Sequence, residues 1–342
     1  MIFVKDHNSA EELIMRGIKT VMALLMSAVL CVSVSACGSS TAGAASSSSA
    51  ASSSSSADPA VKTQSLSSIL GEVEDKYSQG VYKDSRTNLS VPYNLYLPDN
   101  YSKTKKYPLV VFIADASVTG RNVKKSLTQG YGGVICASKQ VQSKHKCIVL
   151  VPQYPSTVLD DHGSYTTTPY LELTRRMIES ISSKYAVDKS RIYGTGQSMG
   201  CMITMVLAAE HPHLYAACLL VDGQWKPETL KPLADQKFFY FAAGGDSRAL
   251  GGMQDLIPVL KKAGADIVTA EWNAKWPASR LESAAKKVIS KGSTTNCITW
   301  KKGTVLPANA SSGSNEHMYS FDYPYKIAAV RDWLFSQSNS GK

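Results

Sequence analysis

No block of like charges interrupts this sequence. Lys and Arg number 37 against 27 Asp and Glu, a formal net charge of +10. The excess is scattered rather than gathered into a stripe, which argues against dedicated nucleic-acid binding. The seven cysteines form no CxxC pair and no Cys/His spacing, which argues against a zinc site or a disulfide scaffold. Internal repeats are missing. The apolar stretch from Val21 to Val34 has about 14 residues, too few to span a bilayer comfortably. What is present is apolar material: 44% of residues are hydrophobic and 19% charged, enough for a sizeable core and too apolar for a disordered chain.

The short apolar stretch reads as a targeting signal. Arg16 and Lys19 precede it, and Met15 is a plausible start, because residues 1–14 carry mixed charge. It ends in Val34-Ser35-Ala36-Cys37-Gly38, and small residues before a cysteine resemble the lipobox of bacterial lipoproteins. That resemblance implies cleavage before Cys37, which becomes a lipidated N-terminus anchored on the outer face of the cell membrane. The alternatives are an ordinary signal peptide with an incidental cysteine, or an uncleaved anchor. Residues 39–57 are almost only Ser, Ala, Gly and Thr, a composition that buries no apolar surface and behaves as a tether. The expected organisation is therefore a signal over 1–36, the lipidated cysteine and tether over 37–60, and one globular domain over 61–338.

Within that domain strands and helices alternate. Val91–Leu97 alternates in character and is rich in aromatic and branched residues, as in a strand. Leu109–Ala114 and Cys147–Val151 are continuous apolar runs, as expected of strands buried on both faces. Arg191–Tyr193, Ala216–Val221, Phe238–Ala243, Ile267–Trp272 and Cys297–Trp300 are further strand candidates. Pro169–Tyr185, Met199–Glu210, Gln254–Ala263, Ser279–Ser290 and Tyr325–Phe335 read as helices. The alternation predicts an α/β fold, with a mostly parallel central sheet and helices on both faces.

One motif sits where such a fold places chemistry. Gly196-Gln197-Ser198-Met199-Gly200 is a GxSxG between a predicted strand and a predicted helix. A nucleophile on a tight strand-to-helix turn tolerates little bulk beside it, hence the two glycines. The helix N-terminus behind it turns backbone N–H groups toward developing negative charge. The bland reading is a glycine-rich turn with a capping serine. The longer stretch Asp188-Lys189-Ser190-Arg191-Ile192-Tyr193-Gly194-Thr195-Gly196-Gln197-Ser198-Met199-Gly200 resembles a signature of α/β-hydrolases. Its nearest group is the secreted esterases related to polyhydroxybutyrate depolymerases and feruloyl esterases, often labelled prolyl-oligopeptidase-like. Tyr93–Pro98, Tyr107–Phe112 and Val151–Tyr154 extend the likeness.

The resemblance implies a serine hydrolase whose acid and base follow the nucleophile in the order Ser, Asp, His. Three histidines lie downstream. His211 and His213 close the helix that Ser198 opens, about 20 Å away. His317, on a polar loop before the terminal helix, is where the family places its base. Asp246, just past the strand Phe238–Ala243, is the candidate acid; Asp222, after Val221, is its rival. The oxyanion donors would be the Met199 N–H and a backbone N–H at Asp115 or Ala116. Here the chain departs from its relatives, which carry His-Gly where this one has Ala114-Asp115. A carboxylate pointing inward would oppose the oxyanion, so Asp115 is expected to point away or to bind backbone. The long step from Asp246 to His317 holds extra elements that could shape the cleft. Trp225, Trp272, Trp276 and Tyr154 serve either as stacking platforms or as packing. Cys136 and Cys147 either bridge or, with Cys201, Cys218 and Cys297, remain buried thiols.

The implied activity is hydrolysis of carboxylic esters, such as feruloyl, acetyl or other short acyl esters on small molecules or plant polysaccharides. It requires no metal or organic cofactor. A serine peptidase and a non-catalytic surface binding protein on the same fold are the alternatives.

Overall fold

The structure is a computed structural model that describes residues 64–311 and 313–339. The expected signal, the Cys37 anchor, the tether and the first residues of the 61–338 domain lie outside the described residues.

Apolar alternation along the strands decides the layering. β1 (Tyr77–Lys83), β2 (Ser90–Tyr96), β3 (Tyr107–Ile113), β4 (Ile148–Pro152), β7 (Val187–Gln197), β8 (Ala217–Val221), β9 (Phe238–Ala243), β10 (Ile267–Trp272) and β11 (Thr295–Trp300) form one sheet among the described residues. Its order is β1-β2-β4-β3-β7-β8-β9-β11-β10. β2 runs antiparallel to both β1 and β4, and every other pairing is parallel. β5 (Leu159–Asp160) and β6 (Thr166–Thr167) pair only with each other, as a small hairpin. This is the α/β-hydrolase fold.

Every residue of β3, β8 and β9 is buried, and successive side chains face opposite layers. Val110 and Phe112 join one core cluster, and Leu109, Val111 and Ile113 join the other. On the first face lie the helices Leu66–Val73, Ala278–Ile289 and Ala328–Ser336; on the second lie Tyr170–Lys184, Met199–Glu210 and Ser247–Lys262. Met199–Glu210 is apolar almost all round, and each residue but the last is buried. Such a helix belongs at the centre of a domain. Full burial of each large apolar side chain here contributes about 1.5–3 kcal/mol.

Several boundaries differ from the sequence expectation. β7 has 11 residues, far longer than Arg191–Tyr193, because its polar first half pairs at Val187 with Tyr107 and is irregular before Leu109. The helix expected over Gln254–Ala263 starts at Ser247, because Asp246 caps it by accepting the Arg248 and Ala249 N–H groups. The terminal helix breaks at Ile327, which is extended, into Asp322–Lys326 and Ala328–Ser336. Glu282 accepts the N–H groups of Ala328 and Ala329 at 2.6 and 2.8 Å, so a carboxylate from another helix caps the second piece. The elements between Asp246 and His317 do not wall the cleft as an insert. β10 and β11 extend the sheet, with β11 seated between β9 and β10.

Candidate active site

Ser198 stands where β7 turns into the helix Met199–Glu210. Its φ of 52° and ψ of −119° are rare for a non-glycine residue. The turn is held by the Ser198 N–H donating to Val221 O at 3.0 Å. A Cβ on Gly200 would lie 1.9 Å from Ile113 O, and one on Gly196 would lie 2.4 Å from the Gly200 backbone. Both glycines are thus required by the backbones that press against the turn. Strain at a single half-buried side chain, over-determined by its surroundings, is the signature of a functional position.

Loops after four strands meet at this edge. Ser198 follows β7, Asp222 follows β8, Asp246 follows β9, and His317 lies on the segment after β11. His317 Nε2 is 2.8 Å from Ser198 Oγ, and His317 Nδ1 is 2.5 Å from Asp246 Oδ2. Asp246 Oδ1 accepts the Arg248 and Ala249 N–H groups at 3.1 and 3.2 Å. The carboxylate therefore uses one oxygen to cap a helix and the other to hold the imidazole. Burial works to lower the His317 pKa, but the hydrogen bond and charge of Asp246, with Asp222 and Asp115 adding, leave it above the ordinary 6.5. Burial works to raise Asp246, and the contact with His317 together with the capped N–H groups leaves it lowered.

Asp222 does not touch His317 with a hydrogen bond. It accepts the Ala243 N–H at 2.7 Å and bonds the Ser320 hydroxyl. It is fully buried, and burial pushes its carboxyl up to about 7, against the pull of Ser320, Ala243 and His317. His211 and His213 lie at the far end of the helix Met199–Glu210; His211 sits 3.3 Å from Glu172 and His213 is exposed.

Met199 is the first residue of its helix, so its N–H has no intrahelical partner. Met199 and Ala116 both line the cleft beside Ser198. The Asp115 carboxylate accepts the Ser117 N–H at 2.5 Å and bonds the Gln129 amide. The Asp115 N–H is itself given to Gln129 Oε1 at 3.4 Å. Gln129 Oε1 also accepts from Gln197 Nε2 at 2.7 Å. Gln129 thus ties the Asp115 turn to the residue before the nucleophile. Nothing in its sequence surroundings marks it, because the contact is made across 68 residues.

The cleft above Ser198 holds about 550 Å³. One wall comes from Thr157–Thr168, the segment that carries the β5–β6 hairpin. Arg248 fastens that wall, at 2.6 Å from Asp161 and 2.7 Å from His162, and the Gln224 amide bonds Asp161 as well. This hairpin leaves no periodic signal in the sequence, because its strands have only two residues each. Among the described residues of 247–316, only Arg248 and Asn315 reach the cleft.

None of the four aromatic candidates lines the cleft. Trp225 packs edge-on against Tyr165, Trp272 against Phe241 and Trp300, and Tyr154 bonds Thr174. Trp276 carries Arg280 over its ring. All five cysteines from Cys136 to Cys297 are buried and free.

Comparison with known proteins follows the same lines. A crystal structure of a thermostable esterase superposes with a TM-score of 0.63 at 24% identity, over 78% of this chain and 64% of that one. A feruloyl esterase module from Clostridium thermocellum, complexed with sinapinate, gives 0.50 at 14% identity over 74% and 87%. Both likenesses are of fold. Acetylxylan esterase A of Emericella nidulans is 28% identical over 148 residues, 42% of this chain and 44% of the relative. Acetylxylan esterase A of Aspergillus awamori is 43% identical over 47 residues, 14% and 16%. The chain spans less than half the length of these curated relatives. The family described as "Putative esterase" matches residues 85–278, more than half of the chain, and to that esterase family the chain belongs.

Proposed function

We propose that this protein hydrolyses carboxylic esters with Ser198 as nucleophile, His317 as general base and acid, and Asp246 as the group that orients His317. The observation that carries the reading is the continuous chain of contacts from Ser198 Oγ through both imidazole nitrogens to Asp246. Ser198 Oγ attacks the ester carbonyl carbon while its proton passes to His317 Nε2. Asp246 holds the tautomer that leaves Nε2 free to accept, and stabilises the imidazolium that results. The N–H groups of Met199 and Ala116 take the oxyanion; Asp115, whose own N–H is committed to Gln129, serves by its carboxylate bonding Ser117 and Gln129 rather than as a donor. Collapse of the tetrahedral intermediate breaks the C–O bond, and the alcohol leaves with the proton from His317. Water repeats the sequence on the acyl-enzyme and frees the acid.

The substrates of this reading are short acyl or feruloyl esters on plant polysaccharides, in keeping with the acetylxylan esterase relatives. Lipidation at Cys37 and a Ser-rich tether hold the enzyme on the outer face of the cell membrane, within reach of such polymers. Purified protein should hydrolyse p-nitrophenyl acetate and butyrate, and Ser198→Ala should abolish turnover. Absence of turnover, together with absence of labelling by a fluorophosphonate, would leave a binding protein instead. Peptide cleavage without ester cleavage would leave a peptidase. For the anchor, Cys37→Ser should move the protein from the membrane to the soluble fraction.

A further inference from the structure

Asp222 is the rival acid that makes no hydrogen bond to the imidazole, yet it is placed where both supporting segments of the site meet. One of its carboxyl oxygens, one of Asp246 and a ring nitrogen of His317 lie within 4.8 Å of one another. Oδ1 accepts the Ala243 N–H, three residues before Asp246. Oδ2 bonds the Ser320 hydroxyl, three residues after His317. Asp222 also holds a φ of 43°, in the left-handed region, where a non-glycine residue persists only if its surroundings impose it. Its N–H donates to Phe241 O at 2.9 Å, and a Cβ on the next residue, Gly223, would lie 2.6 Å from Ser198 O. The strained turn is therefore pinned on the acid strand, the base segment and the nucleophile elbow together.

Counting protons fixes its state. Ser320 Oγ lies within bonding reach of Asp222 Oδ2 and is 2.8 Å from the His317 carbonyl oxygen. A carbonyl oxygen only accepts, and a hydroxyl has one proton to give. Both bonds are made at once when Ser320 donates to His317 O and the Asp222 acid donates to Ser320. We infer that Asp222 is a positioning residue that, as the neutral acid, clamps the Ala243–Asp246 turn to the His317–Ser320 turn through Ser320. The groups that face it pull both ways: the Asp246 charge favours the neutral acid and His317 favours the carboxylate, while Cys201 and Tyr240 face it from the helix Met199–Glu210 and from β9. Ionisation would set a second carboxylate beside Asp246 with Asp222 fully buried. Burial raises its carboxyl, in the direction this requires.

The inference rests on the catalytic reading of Ser198, His317 and Asp246, and the experiment separates the two. Full-length wild type, Asp222→Asn, Asp222→Ala and Ser320→Ala are compared by kcat and KM on p-nitrophenyl acetate across pH, with folding checked by thermal melting. An asparagine amide accepts from Ala243 and donates to Ser320 as the neutral acid does. Asp222→Asn should stay within about threefold of wild type, with an unchanged midpoint on the acid limb. Asp222→Ala should lower kcat by about tenfold or more with KM little changed, since small misplacements of the base are costly. Ser320→Ala should lower kcat several-fold in the same way, and it serves if Asp222→Ala does not fold. Asp222→Asn as poor as Asp222→Ala, or a midpoint that moves down in Asp222→Asn, would show a working carboxylate and overturn the proposal. Unchanged kcat in Ser320→Ala or in folded Asp222→Ala would overturn it too. A Ser198→Ala protein that still turned over, unlabelled by fluorophosphonate, would instead remove the catalytic reading.

Discussion

Replacing Asp246 by asparagine should cost this site more activity than replacing it by alanine. The reason lies in how the carboxylate is held. Oδ1 is fixed by two backbone donors at the start of the helix Ser247–Lys262. An asparagine there keeps its oxygen on those donors, because its amide nitrogen cannot accept from them. The NH₂ is thereby turned toward His317 Nδ1, where Asp246 Oδ2 sits 2.5 Å away. An amide donor forces Nδ1 to accept and puts the ring proton on Nε2. Nε2 then cannot take the proton of Ser198, 2.8 Å away. Loss of the base by the wrong tautomer costs about 10⁴-fold in kcat, or about 5.5 kcal/mol of transition-state stabilisation. Asp246→Ala imposes no tautomer and should lose about tenfold less. It removes the helix cap, however, and should lower stability by about 1 kcal/mol where Asp246→Asn is nearly neutral. The two variants therefore rank in opposite order by activity and by melting temperature. Steady-state kinetics on p-nitrophenyl acetate and thermal melts read both. Asp246→Asn within tenfold of wild type would refute the reasoning and move the acid elsewhere, with Asp222 next in line.

Three other outcomes follow from the geometry. The active form carries neutral His317, whose pKa is raised above 6.5, so kcat/KM should fall as pH drops, with a midpoint above 6.5; a midpoint below 6.5 contradicts the balance of forces described. Gly200→Ala drives a Cβ into Ile113 O and should destabilise by at least about 2 kcal/mol, read as a melting temperature lower by about 5 °C. The carboxylates of Asp160, Asp161 and Asp246 line the cleft against Arg248, in a chain of net charge +10. A p-nitrophenyl hemisuccinate should therefore react about tenfold more slowly than the butyrate at low salt, and the gap should narrow as salt is added; an unaltered gap would exclude the electrostatic cause.

The central strands were legible because burial on both faces leaves a continuous apolar run in the sequence, as in Leu109–Ala114 and Phe238–Ala243. The elbow was legible because close backbone packing demands glycine at 196 and 200. The break at Ile327 was not, since the Glu282 carboxylate that caps the piece after it comes from 46 residues before Ala328. Gln129 and the Thr157–Thr168 wall were hidden for the same reason: their partners are distant in sequence, and no periodicity records them. The four aromatic residues stayed open between stacking and packing, because a ring near a strand end looks alike whether it meets a ligand or another ring.

The Thr157–Thr168 wall has a consequence for how this scaffold diversifies. Its two short strands borrow no hydrogen bonds from the main sheet, and its polar fastening to Arg248 and Gln224 lies outside the Ser198 elbow. The largely exposed stretch from Asp160 to Thr167 can change length or chemistry while Val158 and Leu159, buried in the core, hold its base in place. Selectivity and folding are thereby assigned to separate stretches of chain, and a transplanted hairpin from a related protein would alter which molecules enter without rebuilding the machinery beneath.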